Sequence, residues 1–170
     1  MVRPFECRQK IPKEKEKTMA TTLEFSANTQ KSGSVSFTGL QKCIKLRLDN
    51  ATIVYEPGVY QGTGEETRVN IVFSMSDQVQ QEVQAMENAL GDCSSCMKEG
   101  TIKAKVSLDR VRFFDAARNR IEKPGMIRGF TCNAMVNVRG KWSTRNQQGL
   151  CLETTDVQLL GKEDSDVCPF

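Results

Sequence analysis

Residues 129–142 of the chain read GFTCNAMVNVRGKW, and apolar and polar side chains alternate along this stretch. Alternation with a period of two residues is typical of a strand that buries one of its faces. The residues expected on the buried face are Cys132, Ala134, Val136 and Val138. The residues expected on the opposite, solvent-facing side are Asn133, Met135, Asn137 and Arg139. This stretch therefore predicts a half-buried strand with a polar, partly cationic outer side.

Similar alternation appears on both sides of this stretch. The other strand-like segments are residues 33–55, 67–76, 100–115 and 150–160. A bend is expected at Asn50, within the first of these segments. In the segment 100–115 the apolar phase changes near Asp109, and a β-bulge would explain that change.

Residues 77–90 follow a different period. Val79, Val83, Met86 and Leu90 recur at spacings of three and four residues, which predicts an amphipathic helix. Ser76 or Asp77 would cap its start and Gly91 would end it. A single helix among five to six strands, without an internal repeat, predicts a mostly β fold, most economically a small barrel of the OB type.

The ends of the chain differ from its middle. Residues 1–22 are rich in charge and lack a hydrophobic period, so we expect a disordered basic arm there. The barrel domain would occupy residues 23–160 and an acidic tail residues 161–170. The sequence shows neither an apolar run of membrane-spanning length nor a secretory signal, so we expect a soluble, cytoplasmic protein.

Composition argues against several classes of enzyme. The chain contains no histidine, which removes Ser-His and Cys-His nucleophile pairs and the commonest general base. Its seven cysteines are an odd number, which argues against a disulfide framework. Cys93 and Cys96 form a Cys-x-x-Cys pair that would need Cys132 and Cys151 to complete a zinc site. The alternative is a loop with two thiols, and we predict no cofactor.

The polar sides of the predicted strands carry cations that suit the phosphates of a nucleic acid. The candidate phosphate-binding residues are Lys45, Arg47, Lys103, Lys105, Arg110, Arg112, Arg139 and Lys141. Rings beside such cations can stack on the bases of a single strand. The candidate rings are Tyr55, Tyr60, Phe113 and Trp142, and of the neighbours Phe113 and Phe114 one should be buried. The alternative is an ordinary solvated sheet face with its rings in the core.

The chain ends in KEDSDVCPF at residues 162–170, a few acids followed by Pro-Phe. This end resembles the tip of bacterial single-stranded-DNA-binding proteins, although it has fewer acids and Cys168 replaces the usual Ile. Residues 111–160 are similar in pattern to the second half of phage single-strand binders of OB type. The resemblance implies an OB fold and a tip that docks on partner proteins. The implied partner-binding residues are Asp164, Asp166, Pro169 and Phe170.

The function most consistent with these observations is that of a viral, non-enzymatic single-stranded-DNA-binding protein of replication or recombination. It would coat single strands and recruit replication or recombination proteins through its tail. The sequence leaves open whether the chain self-associates into a homo-oligomer. The alternative is a β-rich viral structural or assembly protein. A carboxylate-based nuclease ranks third, because Asp109, Asp115 and Glu122 are widely spaced in the sequence.

Overall fold

The structure is a computed structural model that describes residues 22–58 and 67–162. These residues form one helix and a nine-stranded sheet. The elements in chain order are β1 (Phe25–Ser32), β2 (Val35–Thr52), β3 (Arg68–Ser74), α1 (Asp77–Leu90), β4 (Met97–Lys98), β5 (Thr101–Ser107), β6 (Arg112–Phe114), β7 (Arg120–Ile121), β8 (Phe130–Ser143) and β9 (Gln148–Lys162).

The principal strands lie in the order β1-β2-β8-β9-β5-β3. The β2, β8 and β9 strands pair antiparallel, whereas β5 and β6 both run parallel to β9. After β2, Ile53 and Gly58 bridge to Phe73 and Asn70 of β3, so the chain that leaves β2 lies against the far edge of β3. The sheet thereby curls on itself, and the predicted mostly β fold of OB type with one helix is confirmed.

The core lies on the concave side of this sheet. Val136, Val138 and Leu46 are almost fully buried there, together with Phe73 and Ile102. The inward face predicted for residues 129–142 is confirmed, because Cys132, Ala134, Val136 and Val138 are all buried. The alternating pattern succeeds here because a strand with one solvated face must place its apolar residues two apart.

The helix α1 has the predicted bounds. The Ser76 hydroxyl accepts a hydrogen bond from the Val79 N–H at 3.3 Å and caps the first turn. Gly91 ends the helix with a φ of 95°, a conformation that glycine adopts without steric cost. Val79, Val83 and Met86 face the core, so the helix is held to the barrel by its apolar stripe.

The segment 100–115 differs from its prediction. Instead of one bulged strand, β5 ends at Ser107 and a turn leads into β6. The Ser107 carbonyl accepts hydrogen bonds from the N–H groups of Arg110 at 3.0 Å and Val111 at 2.8 Å. The turn shifts the apolar phase, so Leu108, whose spacing from Val106 would place it on the buried side of a continuous strand, is 37% exposed. The bend at Asn50 is confirmed by its φ of 51° and by a register shift between Leu48 and Ala51.

The predicted arm and tail fall almost entirely outside the described residues. In the part of the chain that the structure describes, no helix has both the length and the apolar character needed to cross a membrane.

Candidate nucleic-acid interface

The side of the sheet opposite the core carries polar residues from neighbouring strands; we call it the outer face. Residues paired across strands project to the same side of a sheet. One row of such pairs crosses β2, β8, β9, β5 and β3. Its members are Lys45, Asn137, Glu153, Lys105 and Asn70. Predicted residues from separate strands are therefore brought together on one surface.

A second row runs parallel to the first. Met135 of β8 pairs with Arg47 on one side and Asp156 on the other, and Asp156 in turn pairs with Arg112 of β6. A residue two positions from a member of either row on the same strand projects to the same side of the sheet. The rows and these neighbours together contain the cations of the outer face. These cations are Lys45, Arg47, Arg68, Lys103, Lys105, Arg112 and Arg139.

Acidic residues also lie among these cations. Arg112 Nε lies 2.7 Å from Asp156 Oδ1, Arg139 Nε lies 2.7 Å from Glu153 Oε2, and Arg47 Nε lies 2.8 Å from Asp49 Oδ1. Each arginine side chain in these pairs is at least half exposed, so each pair contributes little to stability. The arginines therefore remain accessible to phosphate, and the lysines and Arg68 give this face an excess of positive charge.

Trp142 lies at one end of the outer face. Its partners across the sheet are Phe37 of β2 and Gly149 of β9. Gly149 is on the same side of β9 as Glu153, because the two are four residues apart along the strand. The half-buried indole therefore borders the cationic surface, with Phe37 beside it.

Lys141 lies on the other side of the sheet, contrary to its assignment to the DNA-binding set. It pairs with the buried residue Leu150, and its ammonium group lies 4.7 Å from the centroid of the Phe25 ring. The reason is a register shift between Val138 and Gly140, where β8 has one extra residue. This bulge reverses the alternation after Arg139, so Lys141 projects to the opposite side from both Arg139 and Trp142. Lys141 therefore serves a cation–π contact rather than the outer face.

Phe113 is likewise not available for stacking. It is 4% exposed and belongs to the core, whereas its neighbour Phe114 is half-buried on the outer side. The expectation that one of the two is buried is confirmed, and the ring left accessible is Phe114 rather than the predicted Phe113. Phe114 and Met135 line a groove of about 250 Å³, and the cations Arg47 and Arg118 lie at the same groove.

The remaining predicted residues are not placed on the outer face by the strand register. Arg110 is in the turn after β5, where its Nε lies 3.8 Å from Asp109. Tyr55 is 59% exposed in the segment that follows β2. Tyr60 and the tail residues Asp164, Asp166, Pro169 and Phe170 lie outside the described residues.

Glu56 fastens the segment that carries Tyr55 to a distant loop. Its carboxylate accepts hydrogen bonds from the N–H groups of Ile127 at 2.8 Å and Arg128 at 2.9 Å, and from Lys123 Nζ at 3.1 Å. Burial alone would raise the pKa of this carboxyl, but the two N–H groups and the Lys123 ammonium outweigh burial and lower it. The ionised carboxylate therefore joins parts of the chain far apart in sequence.

The Cys93 and Cys96 pair follows α1 and is organised around Glu87. This buried carboxylate accepts hydrogen bonds from the Ser95 hydroxyl and the Cys96 N–H, both at 2.8 Å. Burial, with the nearby Glu87 charge, raises the pKa of the Cys96 thiol to about 12, which disfavours the thiolate that a metal would need.

The two donors that a zinc site would add lie elsewhere. Cys132 is buried in the core, and Cys151 lies on the outer face, two residues from Glu153. Within residues 22–58 and 67–162 no group of three or more histidine, cysteine or acidic side chains is close enough to hold a metal ion. This statement covers the zinc candidates and also the nuclease candidates Asp109, Asp115 and Glu122.

Sequence reasoning missed several members of this surface. Arg68, Phe37 and Arg118 were not predicted, and neither were the acids Glu153 and Asp156. Alternation along β3 places Arg68 on the same side as Asn70, so the signal for that residue was present. Arg118, in the turn after β6, has no periodic signal that points to the groove.

Comparison with known proteins shows a likeness of fold. No protein-family model and no curated sequence matches the chain. A solved structure of a single-stranded DNA-binding protein from bacteriophage Enc34 in complex with ssDNA is 16% identical, with a TM-score of 0.54, and the match covers 83% of this chain and 96% of that one. A C-terminal truncation of the Enc34 protein is 12% identical, with a TM-score of 0.52 and coverage of 79% and 94%.

Proposed function

We propose that this chain binds single-stranded DNA on its outer face and has no catalytic step of its own. The observation that carries the proposal is the placement of cations between two surface aromatics, Trp142 at one end and Phe114 near the other. Phosphate neutralisation and base stacking are the two terms of single-strand binding, and this face offers both. The fold likeness to a phage protein solved with ssDNA supports the same function.

The dimensions of the face suit a short stretch of nucleotides. Trp142 and Met135, which lies beside Phe114 at the groove, are seven positions apart on β8. At about 3.3 Å per strand residue they are separated by roughly 23 Å. OB folds bind about 4–16 nucleotides, and a path of this length lies at the lower end of that range.

The proposed test is a titration of the whole chain with a fluorescent single-stranded oligonucleotide and with the same sequence as a duplex. Anisotropy should rise at much lower protein concentration with the single strand, because a duplex hides its bases from Trp142 and Phe114. Equal affinity for both forms, or no affinity for either, would contradict the proposal. That outcome would favour the alternative of a viral structural or assembly protein.

We further propose a role in replication or recombination, in the cytoplasm of the cell where viral or host DNA becomes single-stranded. The acidic tail with Asp164, Asp166, Pro169 and Phe170 would recruit a replication or recombination protein. An aromatic ring that follows a proline and is flanked by acids forms a compact docking element. The support is the resemblance of residues 162–170 to the tips of known single-strand binders.

The tail is tested by deleting residues 163–170 and, separately, by Phe170→Ala. The deletion should abolish pull-down of a polymerase, recombinase or nuclease encoded in the same genome. Phe170→Ala alone should remove most of that binding, since one ring commonly anchors a short motif. Affinity for single strands should stay equal or rise, because the deletion removes acids that compete with phosphate. Loss of DNA binding with partner binding intact would contradict the proposal that the tail binds protein partners and the outer face binds DNA.

A further inference from the structure

The groove at Phe114 is a shallow, open depression on the outer face, beside the row of pairs that contains Arg47 and Arg112. Its volume of about 250 Å³ is below the roughly 300–1,000 Å³ typical of sites for drug-sized ligands, so it suits a small flat group such as one base. The Phe114 ring and Met135 supply apolar surface, and Arg47 and Arg118 also line the groove and supply cations that can attract phosphates.

The polar groups of the groove are held in place. Asn133 Nδ2 donates to Gln158 Oε1 at 3.0 Å, and Gln158 Nε2 donates to the Ala116 carbonyl at 3.2 Å. These two amides line the groove and constrain each other's orientation. Among the described residues that line the groove, Asp156 is the acidic one that a base would meet.

Asp156 retains capacity to accept a further hydrogen bond. Its Oδ1 lies 2.7 Å from Arg112 Nε, and its Oδ2 accepts from the Thr155 hydroxyl at 2.9 Å. A carboxylate offers about four acceptor sites, so these two contacts do not exhaust it. The side chain is 26% exposed and lines the groove, so a bound base can reach it.

Pyrimidines present different groups to such a carboxylate. Cytosine carries an amino donor where thymine and uracil carry a carbonyl acceptor, and acidic side chains are known to accept from that amino group. A carbonyl oxygen facing the carboxylate would be repelled. We propose that this groove binds one base and that Asp156 makes it favour cytosine over uracil or thymine. This inference rests on the proposed single-strand binding.

The test compares oligonucleotides of deoxycytidine and deoxyuridine of equal length at neutral pH. Cytosine and uracil have the same ring and both lack the thymine methyl group. The main difference between them is therefore the hydrogen-bonding edge, where cytosine has an amino group and uracil has a carbonyl group. The unmodified protein should bind oligo-dC at least about fivefold more tightly than oligo-dU, the lower end of the discrimination expected from a good side chain–base contact. Asp156→Asn should bring this ratio close to one.

Glu153→Gln is the matched control. Glu153 is also an outer-face acid in a 2.7 Å pair with an arginine, but it does not line the groove. Both variants remove one negative charge and release one arginine, so both should raise affinity for every oligonucleotide by a similar factor. Only Asp156→Asn should change the dC-to-dU ratio. Asp156→Ser, which also lacks the charge, gives a second measurement should the first variant fold poorly.

The possible outcomes separate this inference from the proposed function. Failure of the unmodified protein to bind any single strand would overturn the proposed function. Tight but equal binding of oligo-dC and oligo-dU would overturn only the cytosine preference. A preference that survives Asp156→Asn and Asp156→Ser, or that Glu153→Gln also removes, would overturn the role of Asp156.

Discussion

The indole of Trp142 lies directly over Gly149, so that a Cβ at position 149 would be only 2.8 Å from ring atoms Cε2, Cζ2 and Nε1. Gly149→Ala should therefore displace the ring from its position at the end of the outer face. We expect a loss of about 1–3 kcal/mol in the free energy of unfolding, as for other overpacked sites. Single-strand affinity should fall as well, because the displaced ring no longer borders the cations.

Intrinsic tryptophan fluorescence reports this change directly, since Trp142 is the single tryptophan of the chain. Gly125→Ala is the control, because a Cβ there meets nothing within 4 Å. Unchanged emission and unchanged affinity in Gly149→Ala would contradict the proposed position of the indole.

The two neighbouring phenylalanines should respond differently to truncation. Phe114→Ala should weaken single-strand binding by about 1–3 kcal/mol while the thermal unfolding temperature changes little, because its ring is on the surface groove. Phe113→Ala should instead destabilise the fold by about 3–5 kcal/mol, since it opens a cavity in the core. Anisotropy and thermal unfolding of both variants distinguish these roles, and the reverse pattern would restore Phe113 as the stacking ring.

Binding should weaken steeply as salt concentration increases. Replacing Lys45 or Lys103, both exposed on the outer face, by Gln should lower the slope of log affinity against log salt by about 0.7 for each lost phosphate contact. Lys31→Gln is the control, because Lys31 projects to the side of the sheet opposite the outer face. Lys31 pairs with Ser36, and Ser36 pairs with Ser143. Ser143 is adjacent to Trp142 on β8 and therefore faces the other way. A slope that Lys31→Gln reduces equally would argue against a localised binding face.

Glu56 should contribute stability that depends on pH. Its pKa in the folded chain is below the ordinary value of 4.5, so its contribution is fully present above that value and is lost as pH falls through the folded pKa. At pH 7 Glu56→Gln should lower the free energy of unfolding by about 1–2 kcal/mol. The difference from the unmodified protein should vanish in acid, where Glu56 is itself neutral.

Urea unfolding at a series of pH values measures this difference. Glu122→Gln, at an exposed acid of the neighbouring loop, is the control for the loss of one negative charge. A difference between Glu56→Gln and the unmodified protein that persists unchanged into acid would show that the carboxylate charge is not what joins the two segments.

Local patterns in the sequence predicted the elements well where one physical rule governs them. The helix over residues 77–90 follows from its apolar spacing, its Ser76 cap and its Gly91 end. The inner and outer sides of β8 over residues 132–138 follow from alternation, because consecutive residues of a strand project to opposite sides. The cations of β2 and β5 were identified for the same reason.

The tertiary structure decided which of these residues act together. Two positions show why. Asp156 entered the outer face because β9 lies between β8 and the parallel strands β5 and β6, and no local pattern encodes that order. The burial of Phe113 is the second example. The turn after Ser107 interrupts the alternation, so the pattern before the turn does not say which of Phe113 and Phe114 faces the core. Pairing of β6 with β9 decides that Phe113 does.

The sequence by itself thus determined the fold class, the helix, and the two sides of the regularly alternating parts of β2, β5 and β8, since these depend on periodicities over a few residues. The structure alone decided that Lys141 contacts Phe25, that Phe114 rather than Phe113 lines a groove, and that Asp156 lies in that groove. These relationships depend on strand order, register and the turns between strands, which arise from packing between residues far apart in the chain.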